Sequence, residues 1–556
     1  MMTRLAVSIF VDSVDQALAA TAIAAERGAD LVEFRLDRFA DQADALPALI
    51  ERSALPCIVT CRPTWEGGEY EGDEDVRAEV FRAAASGPRT PVYMDIELVA
   101  YQKRGPVREA ADQLVDHPGQ ITDSSIGLIL SSHDFDSRPI DLYQRLEGMV
   151  ASPACRVMKV AWRAKSLRDN LEAFEVIVER HKPTIALCMG EFGLASRVLA
   201  KKFGALLTFA AIDEQGGTAP GQPTIADLKS LYRWDSLDPS TRVYGVIGYP
   251  VGHSMSPAIH NAGFDAVDHA GVYLPMPIPP EYEHFKATVA TWLAMDELQF
   301  RGASVTIPHK ENLLRFVEEQ GGEIEPLAAW LGAANTLTVG DDGKLRASNT
   351  DYAGALDAAC SALGIKREAL AGKRVAVIGA GGAARAIVAG FVKYGATVVV
   401  YNRTHERAVA LAEAVNASQG ASAEASAAGA GNASASSMRP PGKAVAARME
   451  KLCDSCCEIY INCTPVGMHP NVDDTPIPAE LQPTGKAGWG AGVLVFDTIY
   501  NPRETRLLRE AKAAGCMVVA GDEMFVRQAA AQFEQWVGKS APLDVFRSVL
   551  LAKLGG

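Results

Sequence analysis

Eight short β-rich runs, separated by helix-patterned segments, fill the first half of the chain: RLAVSIF, DLVEFRLD, PCIVTCR, VYMDIEL, IGLILSSH, RVMKVAW, TIALCMG and ALLTFA. Such alternation is the pattern of parallel strands joined by helical crossovers. Eight strands in about 230 residues is the count and size of a (β/α)8 TIM barrel, with an open doubly wound sheet as the alternative. At 556 residues, 48% of them hydrophobic, the chain is too long for one core, so further domains follow.

Alternate residues of a strand share a face, which sorts the charges. In the second run Val32, Phe34 and Leu36 suit packing on helices, leaving Glu33 and Arg35 inside the barrel. In the sixth, Met158, Val160 and Trp162 point outward and Val157, Lys159 and Ala161 inward. Arg62 closes the third run and His133 the fifth, so charged groups converge on the mouth where barrel enzymes place their chemistry. Burial disfavours an ammonium, and a neutral amine is a nucleophile toward ketones and aldehydes. Alone, Lys159 reads more readily as an ion pair with a carboxylate such as Glu33. His133, in SSHDF beside it, adds a proton carrier, and with an arginine set the three describe Schiff-base chemistry on an anionic carbonyl compound.

These residues lie in EFRLD, CRPTWEGGE, SSHDF, MKVAW, MGEFGLASR and TAPGQ, a set that resembles the type I 3-dehydroquinate dehydratases across the whole first half. The resemblance implies that Lys159 forms an imine with the ring ketone, that His133 moves the protons, and that Glu66 orients His133. It also implies that Glu33, Arg35, Arg62, Arg197, Thr218 and Gln222 hold the carboxylate and hydroxyls of the substrate.

After the polar stretch LYRWDSLDPST a new βα pattern begins. In KRVAVIGAGGAARAIVAGF a strand runs into glycines and then a helix, and Gly379, Gly381 and Ala384 fit the dinucleotide fingerprint. Its backbone, from Gly379 through Ala380, Gly381, Gly382 and Ala383, is expected to face a pyrophosphate. The next strand ends in Asn402, Arg403, Thr404 and Arg407 rather than an acid, which suits the 2′-phosphate of NADP(H). Residues 416–442, rich in Ala, Ser and Gly, read as a flexible low-complexity insertion.

From about Thr241 onward, GYPVGHSMSPAIHN, SVTIPHK, GAANTL, SNTD, FDTIYNP and GDEMFVRQAA resemble shikimate dehydrogenase. That resemblance implies that Ser254 and Ser256 take the substrate carboxylate, and that Lys310 and Asp351 handle the proton. Thr306, Asn335, Tyr500 and Gln528 complete the pocket. In isolation the serines equally suit a helix cap, and Lys310 with Asp351 an ordinary ion pair.

The expected organisation is α/β throughout: a dehydratase barrel over 1–235, a substrate domain over 241–350, a Rossmann NADP domain over 351–520, and C-terminal helices over 521–556. The two resemblances together imply consecutive steps, dehydration of 3-dehydroquinate and NADPH-dependent reduction of 3-dehydroshikimate to shikimate. Alternatives are a quinate-utilising enzyme and a catalytically inactive metabolite sensor. The net charge of -14 argues against nucleic acid and anionic membranes as partners, leaving small-molecule substrates. Ten scattered cysteines, without paired zinc spacing, argue for a reducing cytoplasm and no metal; the CDSCC cluster reads as idle thiols. MMTRLAVSIF lacks the marks of an export signal.

Overall fold

The computed structural model describes residues 3–118, 124–214, 217, 221–429, 442–483 and 488–555. The chain forms two compact units, one of Met1–Gly252 with Ala270–Phe300, the other of His253–His269 with Arg301–Gly556.

In the first unit, strands β1 (Arg4–Phe10), β2 (Leu31–Arg35), β3 (Cys57–Thr60), β4 (Tyr93–Glu97), β5 (Gly127–Asp134), β6 (Cys155–Arg163), β7 (Thr184–Met189) and β8 (Leu207–Ala210) coincide with the eight runs. They form one sheet in the order β7-β6-β5-β4-β3-β2-β1-β8. The ring is nearly closed: Leu206 N–H donates to Thr184 C=O at 2.9 Å across its two ends. Parallel register sets Ser131 against Lys159 and His133 against Ala161, so the residues expected at the mouth lie on adjacent strands. Val157 and Ala161 pack inside with Leu31, Ile58, Ile129 and Phe209, as the two-residue alternation of β6 requires. Beyond the barrel, β9 (Arg242–Gly248) and β10 (Gly271–Pro277) pair in parallel.

In the second unit, β11 (Phe300–Val305), β13 (Thr336–Val339) and β14 (Leu345–Ser348) pair antiparallel, and the two-residue β12 (Glu323–Ile324) runs parallel to β14. A six-stranded parallel sheet follows: β15 (Arg374–Ile378), β16 (Thr397–Tyr401), β17 (Lys443–Ala447), β18 (Ile459–Asn462), β19 (Leu494–Asp497) and β20 (Met517–Val519), in the order β17-β16-β15-β18-β19-β20. That is the doubly wound order of dinucleotide-binding sheets, with its crevice at the carboxyl ends of β15 and β18. Val377, Val398 and Ile461 pack against the helices Asp351–Leu363 and Gly382–Lys393 on one face.

Of the low-complexity stretch at 416–442, the backbone through Gly429 ends the helix His405–Gly429, and residues 430–441 lie outside the described residues. Alanine, the strongest helix former, carries the helix past Asn416. Asn416 ties it to β17 by two bonds with the backbone of Ala444, at 2.8 and 2.9 Å. No described helix is long and apolar enough to cross a membrane.

Candidate active sites

Lys159 lies mid-strand in β6, 5% exposed, with its ammonium 4.7 Å from the centre of the Phe209 ring. Nζ donates to Asp95 Oδ2 at 2.7 Å and to Glu33 Oε1 at 3.3 Å. The lysine is therefore not isolated among apolar groups; two carboxylates from β4 and β2 offset its desolvation. Glu33 in turn accepts from Ser8 and, at 2.9 Å, from Thr60. Burial works to raise the carboxyls of Glu33 and Asp95, but Lys159 with Arg35, and Arg62 with Lys159, hold them below the usual range.

Arg62 is pinned by three acceptors: Glu97 at 2.7 Å, Ser131 at 2.8 Å and Asp95 at 2.8 Å. Arg77 reaches Glu97 from the helix Glu74–Ala85. Arg35 pairs with Asp37, at 2.6 Å. Glu66 accepts the backbone N–H of His133 at 2.8 Å and lies 3.3 Å from its Nδ1. Burial pushes the Glu66 carboxyl up to about 7. Burial, reinforced by Arg62 and Lys159, holds the His133 imidazole well below the usual histidine range, so it is neutral at neutral pH and able to accept a proton.

Glu33, Arg35, Arg62, Glu66, His133, Lys159, Arg197 and Gln222 line one pocket. Thr218 lies outside the described residues. Arg197, on the short helix Leu194–Val198, is 1% exposed, yet among the described residues its Nε and Nη2 have no partner, and burial lowers its guanidinium to about 10. A buried guanidinium with two unfilled donors is a place for an anion.

In the second unit Lys310 opens the helix Lys310–Glu319, and its Nζ donates to Asp351 Oδ2 at 2.6 Å. Asn335 Nδ2 donates to the other oxygen of Asp351 at 2.8 Å, while its Oδ1 accepts from the backbone N–H of Thr350, also at 2.8 Å. Gln532, on the helix Gly521–Val537, donates to the Asn335 C=O at 2.9 Å and accepts from Ser304 at 2.7 Å. Gln528 lies one turn earlier on this helix, packed where Gly354 lets the helix Asp351–Leu363 approach. Ser254 Oγ accepts the backbone N–H of Ser256 at 3.3 Å, a turn that opens the helix Ser256–Ala266. Thr306 C=O accepts from His309 N–H at 2.8 Å, and Tyr500 is half-exposed beside Phe525.

The residues around β15 fit a dinucleotide. Gly379 has φ +116, and a Cβ there would sit 3.0 Å from the Cys463 C=O. Gly381 and Gly382 face open space at the start of the helix Gly382–Lys393, whose first turn has no side-chain cap. Bare N–H groups at a helix N-terminus suit a pyrophosphate. Past β16, Arg403, Thr404 and Arg407 are exposed, and Asn402 braces the turn by donating to Thr404 C=O at 2.8 Å. Ala380 and Ala383 complete the turn.

Several residues that sequence reasoning passed over belong to these sites. Asp95 and Glu97 occupy alternate positions of VYMDIEL, and the alternation applied to the other strands also points them inward. Ser131, two residues before His133 on β5, carries the same signal, whereas Gln532 carries none because its role depends on helix packing.

The sequence matches the family described as "Type I 3-dehydroquinase" over residues 5–239 and the "Shikimate dehydrogenase substrate binding domain" over 246–337. It further matches "Shikimate / quinate 5-dehydrogenase" over 362–427 and the "Shikimate 5'-dehydrogenase C-terminal domain" over 522–551. A bifunctional 3-dehydroquinate dehydratase/shikimate dehydrogenase of Arabidopsis thaliana, described as chloroplastic, is 38% identical, with 98% of this chain and 83% of that protein aligned. A shikimate dehydrogenase (NADP(+)) of Methanosarcina mazei is 38% identical over 56% of this chain and 99% of its own. Among solved structures, a dehydroquinate dehydratase and shikimate dehydrogenase from S. pombe is 24% identical, covers 99% of this chain and 98% of its own, and has a TM-score of 0.43. With the matches at both sites spanning nearly its full length, the chain belongs to the family of bifunctional 3-dehydroquinate dehydratase/shikimate dehydrogenases.

Proposed function

We propose that the barrel dehydrates 3-dehydroquinate to 3-dehydroshikimate and that the second unit reduces this product to shikimate with NADPH. The observation that carries the reading is the meeting of Lys159, a neutral His133 and the half-unpaired Arg197 in one pocket.

Lys159 passes a proton to the neutral His133 in the same pocket, its Nζ attacks the ring ketone, and His133 returns that proton to the hydroxyl of the adduct. Loss of water leaves a protonated imine, an electron sink for the neighbouring carbon. His133 removes that carbon's proton; the electron pair moves toward the imine nitrogen and then expels the hydroxyl, which leaves as water with the proton His133 returns. Hydrolysis frees the lysine. Glu66 holds the imidazole through Nδ1, leaving Nε2 to face the substrate. Arg197 takes the carboxylate, Gln222 and Thr218 the hydroxyls, and Arg62 with Arg35 supplies fixed positive charge.

NADPH bound in the second unit would supply hydride to the ketone. Lys310 gives its proton to the oxygen that gains charge, while Asp351, itself held by Asn335, keeps the ammonium in place. Ser254 and Ser256 meet the substrate carboxylate, and Thr306, Tyr500 and Gln528 line its ring. Gly379 to Ala383 would cradle the pyrophosphate, and Arg403 and Arg407, with Asn402 and Thr404, would take the 2′-phosphate. Joining both activities in one chain raises the local concentration of the shared ketone without requiring a tunnel. All ten cysteines are free, which supports a reducing compartment, the cytoplasm.

The test is to give the purified protein 3-dehydroquinate and NADPH and follow nicotinamide absorbance. Oxidation without added enzyme is expected; its absence, with 3-dehydroshikimate also failing as substrate, rules the reading out.

A further inference from the structure

Asp497, the last residue of β19, is fully buried, and among the described residues none of the three hydrogen bonds to its carboxyl comes from a cation. Oδ1 accepts from Asn462 Nδ2 at 3.0 Å and from the backbone N–H of Ile499 at 3.1 Å; Oδ2 accepts from Thr505 Oγ1 at 2.7 Å. A carboxyl placed so deep without a countercharge is costly, and burial pushes it up to about 6. Stability alone gives little reason for it; its position gives more.

Each partner begins or braces a loop at the cofactor edge. Asn462 ends β18, and its Oδ1 accepts both the N–H and the hydroxyl of Thr464, at 2.9 and 2.7 Å, fixing the turn Asn462–Thr464. That turn abuts the fingerprint: a Cβ on Gly379 would lie 3.0 Å from Cys463 C=O and 3.1 Å from Thr464 Cγ2. Ile499 opens the loop that carries Tyr500, and its C=O accepts Gly521 N–H at 3.1 Å, the first residue of the helix bearing Gln528 and Gln532. One carboxyl thus braces the wall of the pyrophosphate turn and the helix that reaches Asn335.

We propose that Asp497 is a positioning residue that sets the dinucleotide edge in register with the substrate pocket, acting through Asn462 on the turn beside Gly379 and through Ile499 on the helix of Gln528. This rests on the reading of Gly379–Ala383 as the dinucleotide turn.

The experiment is a fluorescence titration of the full-length protein with NADPH, alongside dehydrogenase kinetics. Wild type must bind NADPH, or the dinucleotide reading itself fails. D497A is expected to weaken NADPH binding by about tenfold to a hundredfold and to raise the KM for 3-dehydroshikimate, with dehydratase turnover unchanged. D497N keeps an oxygen for Asn462 and Ile499 and turns an amide toward Thr505, so it should bind within about threefold of wild type. If D497A does not fold, T505V, which removes the bond to Oδ2, carries the test with a smaller loss in the same direction. NADPH affinity unchanged in D497A, or in T505V where D497A is not obtained, overturns the inference, whatever happens to the melting temperature.

Discussion

Lys159 lies closer to Asp95, at 2.7 Å, than to Glu33, at 3.3 Å, and Asp95 is shared with Arg62 at 2.8 Å. The proposed nucleophile and the guanidinium that, with burial, lowers the basicity of His133 are therefore tied to the two oxygens of one carboxylate. Whatever displaces Arg62 changes the hold on Lys159.

Borohydride reduction in the presence of 3-dehydroquinate should add the ligand's mass to the full-length protein. K159M should add nothing and lose dehydratase turnover while reducing 3-dehydroshikimate at the wild-type rate. Mass spectrometry checks this; an adduct on K159M places the imine elsewhere.

Arg197 is a different case, because among the described residues its buried Nε and Nη2 lack acceptors. An unsatisfied buried polar group costs about 1–3 kcal/mol. R197M should therefore melt no lower than wild type without ligand, and 3-dehydroquinate should raise the melting temperature of wild type alone. Thermal shift with and without the ligand decides it.

Opposed titrations at the dehydratase site give a pH signature. His133 has a folded value below its ordinary 6.5, so its contribution to stability is lost as pH falls below about 6.5, where only the unfolded chain takes the proton. Glu66, raised from 4.5 to about 7, contributes stability at low pH that is lost as pH rises toward 7. Relative to wild type, E66Q should gain on the order of 3 kcal/mol between about pH 4 and pH 8, and H133A should flatten the acid-side decline. Urea unfolding across that range measures both.

Exposed Arg403 and Arg407 should matter only to the phosphorylated cofactor. Their joint replacement by alanine is expected to raise the KM for NADPH by about tenfold to a hundredfold, as loss of charged hydrogen bonds implies, and to leave that for NADH within about twofold. Steady-state kinetics with both nucleotides is the check.

Much of this architecture was legible because it is periodic. The eight runs coincide with β1 to β8, and two-residue alternation correctly turned Val157 and Ala161 inward. Lys159 and His133 meet because their strands are neighbours, and eight alternating units imply that adjacency. Which carboxylate holds the lysine was less legible: Glu33 and Asp95 both face in, and only the register between strands decides in favour of Asp95. Arg197 likewise reads as any arginine until packing shows that two of its nitrogens lack acceptors among the described residues. Asp497 was silent for a similar reason, since its partners are spread over residues 462 to 505 and meet only in the folded sheet.

The near-closure of the barrel has a consequence for ligand binding. Among the described residues β7 and β8 share no ladder, and the main-chain bond from Leu206 to Thr184 spans them where the other neighbours have several. Arg197 sits on the crossover between these two strands, and Gln222 lies just beyond the second. An acid anchored on that guanidinium would staple the least cross-linked seam of the ring, so occupancy and mechanical integrity of the cylinder would rise together.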